Sequence, residues 1–301
     1  MKSPRLPRFK RAPTVAPMQL TERDRDIIRL VYQNRFLRSS HIVALMGGSQ
    51  QILRRLQLLY HHGFLERPRC QLDYYYRGGS REIVYGLADK GGAVLRQGGI
   101  ALSESRWSDK NRSVGRVQLE HLLMVSDVIV AIEMVCRNNG SRLIMGDYLP
   151  VPGKHPSFRW NVDIGGGVKL GIAPDRAFAL DYADPDDERK RAFFFLEADR
   201  GTMPIVRKNL SQSSFYRKLL AYEATWSQGL HRSQFVFNRF RVLTVTTSAA
   251  RVNSLVEACS QLKKGHGLFL FTDQETLQKQ GDILTLPWKT GRQSETSRIL
   301  E

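Results

Sequence analysis

The chain has 301 residues, 42% of them hydrophobic and 25% charged, a composition that builds ordinary cores over a length better suited to two domains than one. Its formal charge of +17 draws polyanions by counterion release, so a nucleic acid is the default partner. No apolar run of about 18 residues is present to span a membrane, and no apolar segment follows the basic N-terminus as in an export signal. Cys70, Cys136 and Cys259 lack the spacing of a zinc ribbon or disulfide framework, so a cytoplasmic protein with reduced thiols is expected.

The basic footprint is N-terminal. Residues 1–117 hold 22 Lys and Arg against 9 Asp and Glu, whereas residues 118–301 hold 24 against 20. Residues 1–18 interleave Lys2, Arg5, Arg8, Lys10 and Arg11 with four prolines, which reads as a disordered basic arm. Order is expected from Thr21, a natural helix N-cap with Asp24 three positions on, followed by Ile27, Ile28, Leu30 and Val31 at helical spacing. A second short helix carries Ile42, Val43, Leu45 and Met46 and stops at Gly47-Gly48; a third runs from Ser49 to about His61, with Ile52, Leu53, Leu56 and Leu59 expected on its buried side.

Two strands follow, Phe64–Arg67 and Ile83–Leu87, and the whole order over residues 19–97 is that of a winged helix-turn-helix. In that motif the N-terminal, outward residues of the third helix meet bases and phosphates. Here they are Ser49, Gln50, Gln51, Arg54 and Arg55, side chains able to read base edges and hold phosphate. The wing, residues 68–82, sets Arg69, Arg77 and Arg81 beside Tyr74, Tyr75 and Tyr76, a mixture suited to lying along a nucleic-acid backbone. Residues 98–113 read as a linker.

From Val114 to about Arg137 a long helix is expected, with Glu120 and His121 near its start. Strands then read at 142–148, 176–182 and 192–198, with Asp184–Arg191 as a solvated turn, a helix from about Ile205 to Trp226, a strand at 241–246, a helix at 249–263 and a strand at 268–272. Gly165-Gly166-Gly167 lacks the lysine of a phosphate loop and reads as a hairpin turn. The fold class expected is α+β and α/β: the winged helix, then a restriction-endonuclease-like mixed-sheet domain over residues 114–285, then a tail over 286–301. Phe193-Phe194-Phe195-Leu196 is an apolar run of a strand buried on both faces, and it aims Glu197 and Asp199 from one end on one face. With Pro174-Asp175, these carboxylates form the acidic pattern from which metal-dependent nucleases build a cation site. Gln212-x-x-x-Tyr216 has the spacing of a helix motif in RecB-like nucleases.

Leu20-Thr21-Glu22-Arg23-Asp24, Gly47-Gly48-Ser49, Leu87-Ala88-Asp89-Lys90-Gly91, Glu120-His121, Pro174-Asp175 and Phe195 to Thr202, in that order, make the chain resemble the replication-relaxation family over about residues 20–275. The resemblance implies a winged helix joined to a PD-(D/E)XK-like domain in a DNA-binding protein of a plasmid or other mobile element. Replication, copy control and DNA relaxation or transfer are the implied roles. Duplex DNA is the implied partner, with replication or relaxase proteins and a second copy of the chain as further ones. In an active enzyme Asp175 and Glu197 would ligate Mg2+ or Mn2+, Asp199 could join them, and Glu120 would complete the site. The lysine expected two residues beyond Glu197 is replaced by Asp199, and Arg200 points to the other face, so Lys208 or Lys218 from the next helix would have to supply the charge. A Mg-dependent DNA endonuclease and a winged-helix transcriptional regulator are the alternatives.

Overall fold

The computed structural model describes residues 7–72, 82–102, 104–149, 158–184 and 187–301. It is a mixed structure of helices and one large mixed sheet, divided into two compact units, Met1–Val130 and Ala131–Glu301. Among the described residues, no helix is long and apolar enough to cross a membrane.

The first unit opens with α1 (Glu22–Asn34), where Thr21 and Asp24 form a capping box and Ile27, Ile28 and Val31 are buried. A short strand that the sequence does not announce, β1 (Phe36–Arg38), leads into α2 (Ser39–Met46) and α3 (Ser49–His61). Helix α3 buries Ile52, Leu56 and Leu59 along one stripe, whereas Leu53 falls off that stripe and is 47% exposed, contrary to expectation. Strands β2 (Leu65–Glu66) and β3 (Val84–Leu87) follow, and the antiparallel sheet has the order β1-β3-β2. Helix α4 (Asp89–Gln97) packs so closely that a Cβ on Gly91 would lie 2.3 Å from the Phe64 carbonyl oxygen.

Two expectations about this unit change. Residues 98–113 include a helix, α5 (Trp107–Arg112), with Trp107 and Asn111 buried and the Asn111 amide donating to the Leu87 carbonyl at 2.6 Å. The described part of the arm is docked rather than disordered. Arg11 donates to the Tyr60 carbonyl at 3.0 Å and to Glu66 at 2.9 Å, the Ala12 N–H donates to His61 Nδ1 at 3.1 Å, and Arg67 donates to the Arg8 carbonyl at 2.6 Å. The Arg67 guanidinium also lies 4.1 Å from the centre of the Tyr60 ring. Guanidinium and aromatic groups thus give the arm a fixed bed that composition alone does not reveal.

Helix α6 (Arg116–Asn139) closes the first unit and runs into the second. There follow β4 (Arg142–Met145), the hairpin of β5 (Trp160–Asp163) and β6 (Lys169–Ile172), then β7 (Arg176–Asp184) and β8 (Asp187–Asp199). The hairpin turn is glycine at 165, 166 and 167, all at positive φ, in line with the expected turn. Strand β8 starts earlier than expected, so Lys190 and Arg191 pair with Tyr182 and Asp181 inside the sheet instead of forming a turn. Helices α7 (Phe215–Ser227) and α8 (Leu230–Ser233), strand β9 (Phe240–Thr246), α9 (Ala249–Ser260), β10 (Phe269–Asp273) and α10 (Gln274–Gln280) complete the alternation.

Strands β11 (Trp288–Thr290) and β12 (Thr296–Ser297) come from the segment expected to be a tail. They extend the sheet to the order β12-β11-β10-β9-β8-β7-β4, and Trp288 is fully buried. The pairs β8–β9 and β9–β10 are parallel and the others antiparallel. An aromatic core lies against the sheet: the Phe195 ring centre is 5.2 Å from those of Trp160 and Phe240 and 5.7 Å from that of Tyr222 on α7. Packing of this kind fixes the end of β8, and with it the acidic residues there.

Candidate functional site

Side chains alternate along β8, so Phe195, Glu197 and Asp199 share a face. The register sets Glu197 opposite Thr244 and Asp199 opposite Thr246 on β9. Asp175 stands just before β7, its N–H donating to the Leu196 carbonyl at 3.0 Å and its Oδ2 accepting from the Ala198 N–H at 2.8 Å. The three carboxylates therefore occupy neighbouring strand ends, as their positions in the sequence suggest.

Their oxygens, however, are engaged by the protein itself. Glu197 is buried; its Oε2 accepts from Lys218 Nζ at 2.5 Å and its Oε1 from the Tyr222 hydroxyl at 2.6 Å. Asp199 Oδ2 accepts from Arg251 Nε at 2.8 Å and the Thr246 hydroxyl at 2.9 Å, while Oδ1 accepts from Arg251 Nη2 and the Gly201 N–H, each at 3.2 Å. Arg251 also donates to the Met203 carbonyl at 2.6 Å, which ties the turn after β8 to α9.

Burial pushes the Glu197 carboxyl up from its ordinary value, Lys218 opposes this, and Asp175 reinforces it. For Lys218 burial acts downward, but Glu197 and Asp175 outweigh it and hold the ammonium above its usual range. The Tyr222 phenol is driven well up by burial and then by Glu197. The result is a tightly coupled buried cluster in which the Lys218 ammonium and the Tyr222 hydroxyl both donate to the Glu197 carboxyl.

This donor set does not fit the expected magnesium or manganese site. The oxygens of Glu197 and Asp199 are taken by cations and hydroxyls, and among the described residues no group of three His, Cys, Asp or Glu side chains is placed to hold a metal. Of the cations expected to offset the carboxylates, Lys218 does so, but Lys208 does not. Helix α7 begins at Phe215 under a Ser214 cap rather than at Ile205, which leaves Lys208 exposed in the loop that precedes it. Gln212 lies in the same loop, bonded to Arg207 at 3.0 Å, so it does not share a helix with Tyr216. Glu120 belongs to the first unit, on α6, where Arg116 donates to it at 3.1 Å.

In the first unit Ser49, Gln50, Gln51 and Arg54 are exposed along the N-terminal half of α3. Arg55 is not presented in the same way: its guanidinium grips the fully buried Asp24 through both carboxylate oxygens and donates to the Gln19 carbonyl at 3.0 Å. Arg69 is exposed, whereas Arg77 and Arg81, with Tyr74, Tyr75 and Tyr76, lie outside the described residues. His61 is buried under the arm and not at the surface.

The replication-relaxation family matches residues 28–238, well over half of the chain and both of its units. The chain belongs to this family. No curated protein and no solved structure matches it. The matched span in this replication-relaxation protein covers α3, Asp175, Glu197, Asp199 and the Lys218 and Tyr222 pair on α7, but stops short of Arg251. Sequence reasoning missed Tyr222, Thr246 and Arg251. Lys218-x-x-x-Tyr222 carried a usable signal, since i and i+4 share a helix face.

Proposed function

We propose that this replication-relaxation protein binds duplex DNA through a winged helix in its first unit and acts in the replication, copy control or relaxation of a plasmid or other mobile element. The observation that carries the reading is the division of α3. Ile52, Leu56 and Leu59 are buried, while Ser49, Gln50, Gln51 and Arg54 face outward at the end that would enter a major groove. The order α1-β1-α2-α3-β2-β3 with sheet order β1-β3-β2 supports a winged helix, and the concentration of positive charge before residue 118 supports a phosphate-backbone partner.

The second unit reads as a nuclease-like domain that has kept the architecture and lost the metal. Its run of strands β10-β9-β8-β7-β4 and its strand-end carboxylates support that origin. The capture of Glu197 by Lys218 and of Asp199 by Arg251 supports a non-cleaving role, as a second contact to DNA or to replication or relaxase proteins. Incubation of the purified protein with supercoiled plasmid, with and without Mg2+ or Mn2+, tests this. Retarded but intact plasmid is expected in every lane, and metal-dependent nicking would establish an endonuclease instead.

A further inference from the structure

The second unit contains a cavity of about 850 Å³ at the opposite end of β8 from Glu197, where β9 and β10 begin and Ile299 to Glu301 pass. A volume of that size accommodates a small ligand. Trp226, at the end of α7, lines it and is 38% exposed, whereas Trp107, Trp160 and Trp288 are all buried. Val236 lines it too, 59% exposed and with φ of +60°. A β-branched residue avoids that region of backbone space, so the chain holds an apolar side chain in water at a local conformational cost. Something of matching apolar shape that covers Val236 and Trp226 would offset it.

The charges around the cavity define the rest of the ligand. Lys190, Arg191, Arg239 and Arg241 line it against Asp181 and Glu301. Arg191 is taken by Asp181, at 2.5 and 2.8 Å, and Arg241 by the Ser297 hydroxyl and the Arg298 carbonyl, at 3.0 and 2.8 Å. Arg239 is exposed and, among the described residues, its guanidinium makes no hydrogen bond or ion pair. An aromatic surface beside an uncommitted guanidinium matches a planar base that carries a phosphate.

We propose that this cavity binds a nucleotide, the base against Trp226 and Val236 and the phosphate at Arg239. The ligand chemistry is common to a free nucleotide and to one residue of a single strand, where stacking on an aromatic side chain is tolerant of sequence. The site is independent of α3, and its failure would leave duplex binding by the first unit untouched.

Tryptophan emission of the full chain tests the proposal, with Trp226→Phe subtracted to isolate Trp226. Titration with dAMP, with a short single-stranded oligodeoxyadenylate and with deoxyribose 5-phosphate separates the possibilities. Saturable quenching by dAMP or by the oligonucleotide but not by the base-free sugar phosphate is expected, and Arg239→Glu should weaken it by about tenfold or more, the loss of one charge-assisted hydrogen bond. Quenching by the oligonucleotide alone would assign the site to a strand, and quenching by both to a free nucleotide as well. No saturable quenching by either, equal quenching by the sugar phosphate, or an Arg239→Glu variant that folds and binds like wild type would overturn it.

Discussion

Lys218 donates to the buried carboxylate of Glu197 from the first turn of α7, so the positive charge beside this strand end comes from the following helix and not from the strand position two residues on. Asp199, which occupies that strand position, has its own cation in Arg251. Two acidic residues of one motif are thus neutralised separately, by two different helices.

Removing one member of the first pair should cost more than removing both. Lys218→Met strands a buried carboxyl and is expected to lower stability by about 1–3 kcal/mol, between the values for exposed and for fully buried pairs because Lys218 is a third exposed. Adding Glu197→Gln should recover most of that loss. Urea unfolding of the two single variants and the double variant measures the coupling, and additive effects would show that the pair is not coupled.

Asp24 predicts an acid limb in the stability of the first unit. Burial pushes its carboxyl up, but bonds from Arg55 and Thr21 outweigh that and leave it below its ordinary value of 3.8. The folded state therefore keeps Asp24 ionised to lower pH than the unfolded chain, so its stabilisation is present above pH 3.8 and is lost as pH falls through the folded value. Urea midpoints taken from about pH 5 down to about pH 2 should fall less steeply in Asp24→Asn than in wild type. Parallel curves would contradict the assignment.

The docked arm makes a prediction opposite to that of a disordered one. Deleting residues 1–18 removes the bonds that Arg11 and Ala12 donate to the end of α3 and to β2 and the one that Arg8 accepts from Arg67, and should lower the melting temperature of the first unit as well as its affinity for DNA. An unchanged melting temperature would show that these bonds contribute nothing.

Trp288 anchors a segment that looks like a tail in the sequence. Its side chain is fully buried and its indole N–H donates to the Ile283 carbonyl at 3.2 Å, so Trp288→Ala should destabilise the second unit by about 3–5 kcal/mol in chemical unfolding. A loss within experimental error would mean that β11 is not part of the core.

What is legible in the sequence is local. Thr21 with Asp24, the glycines at 47 and 48, and the apolar run before Glu197 each specify an element through their neighbours: α1, α2 and α3 fall where those signals put them, and β8 contains the apolar run although it begins before it. The start of α7 does not, because Ile205, Val206 and Leu210 mimic helical spacing, although Gly201 and Pro204 favour the loop that is found. Strands β11 and β12 are too short to carry a period. Arg251 is hidden for another reason: it meets Asp199 across 52 positions, and nothing near either residue announces the other.

Fluorescence anisotropy of a labelled duplex as a function of salt tests the proposed docking of α3 on DNA most directly. Replacing Gln50, Gln51 and Arg54 by Ala touches only exposed side chains, so the fold should be retained. The variant should bind more weakly, and the slope of log affinity against log salt should flatten by about 0.9, the share of the single phosphate assigned to Arg54 in the proposed docking. Wild-type affinity and an unchanged slope in a folded variant would contradict docking of α3 on the duplex.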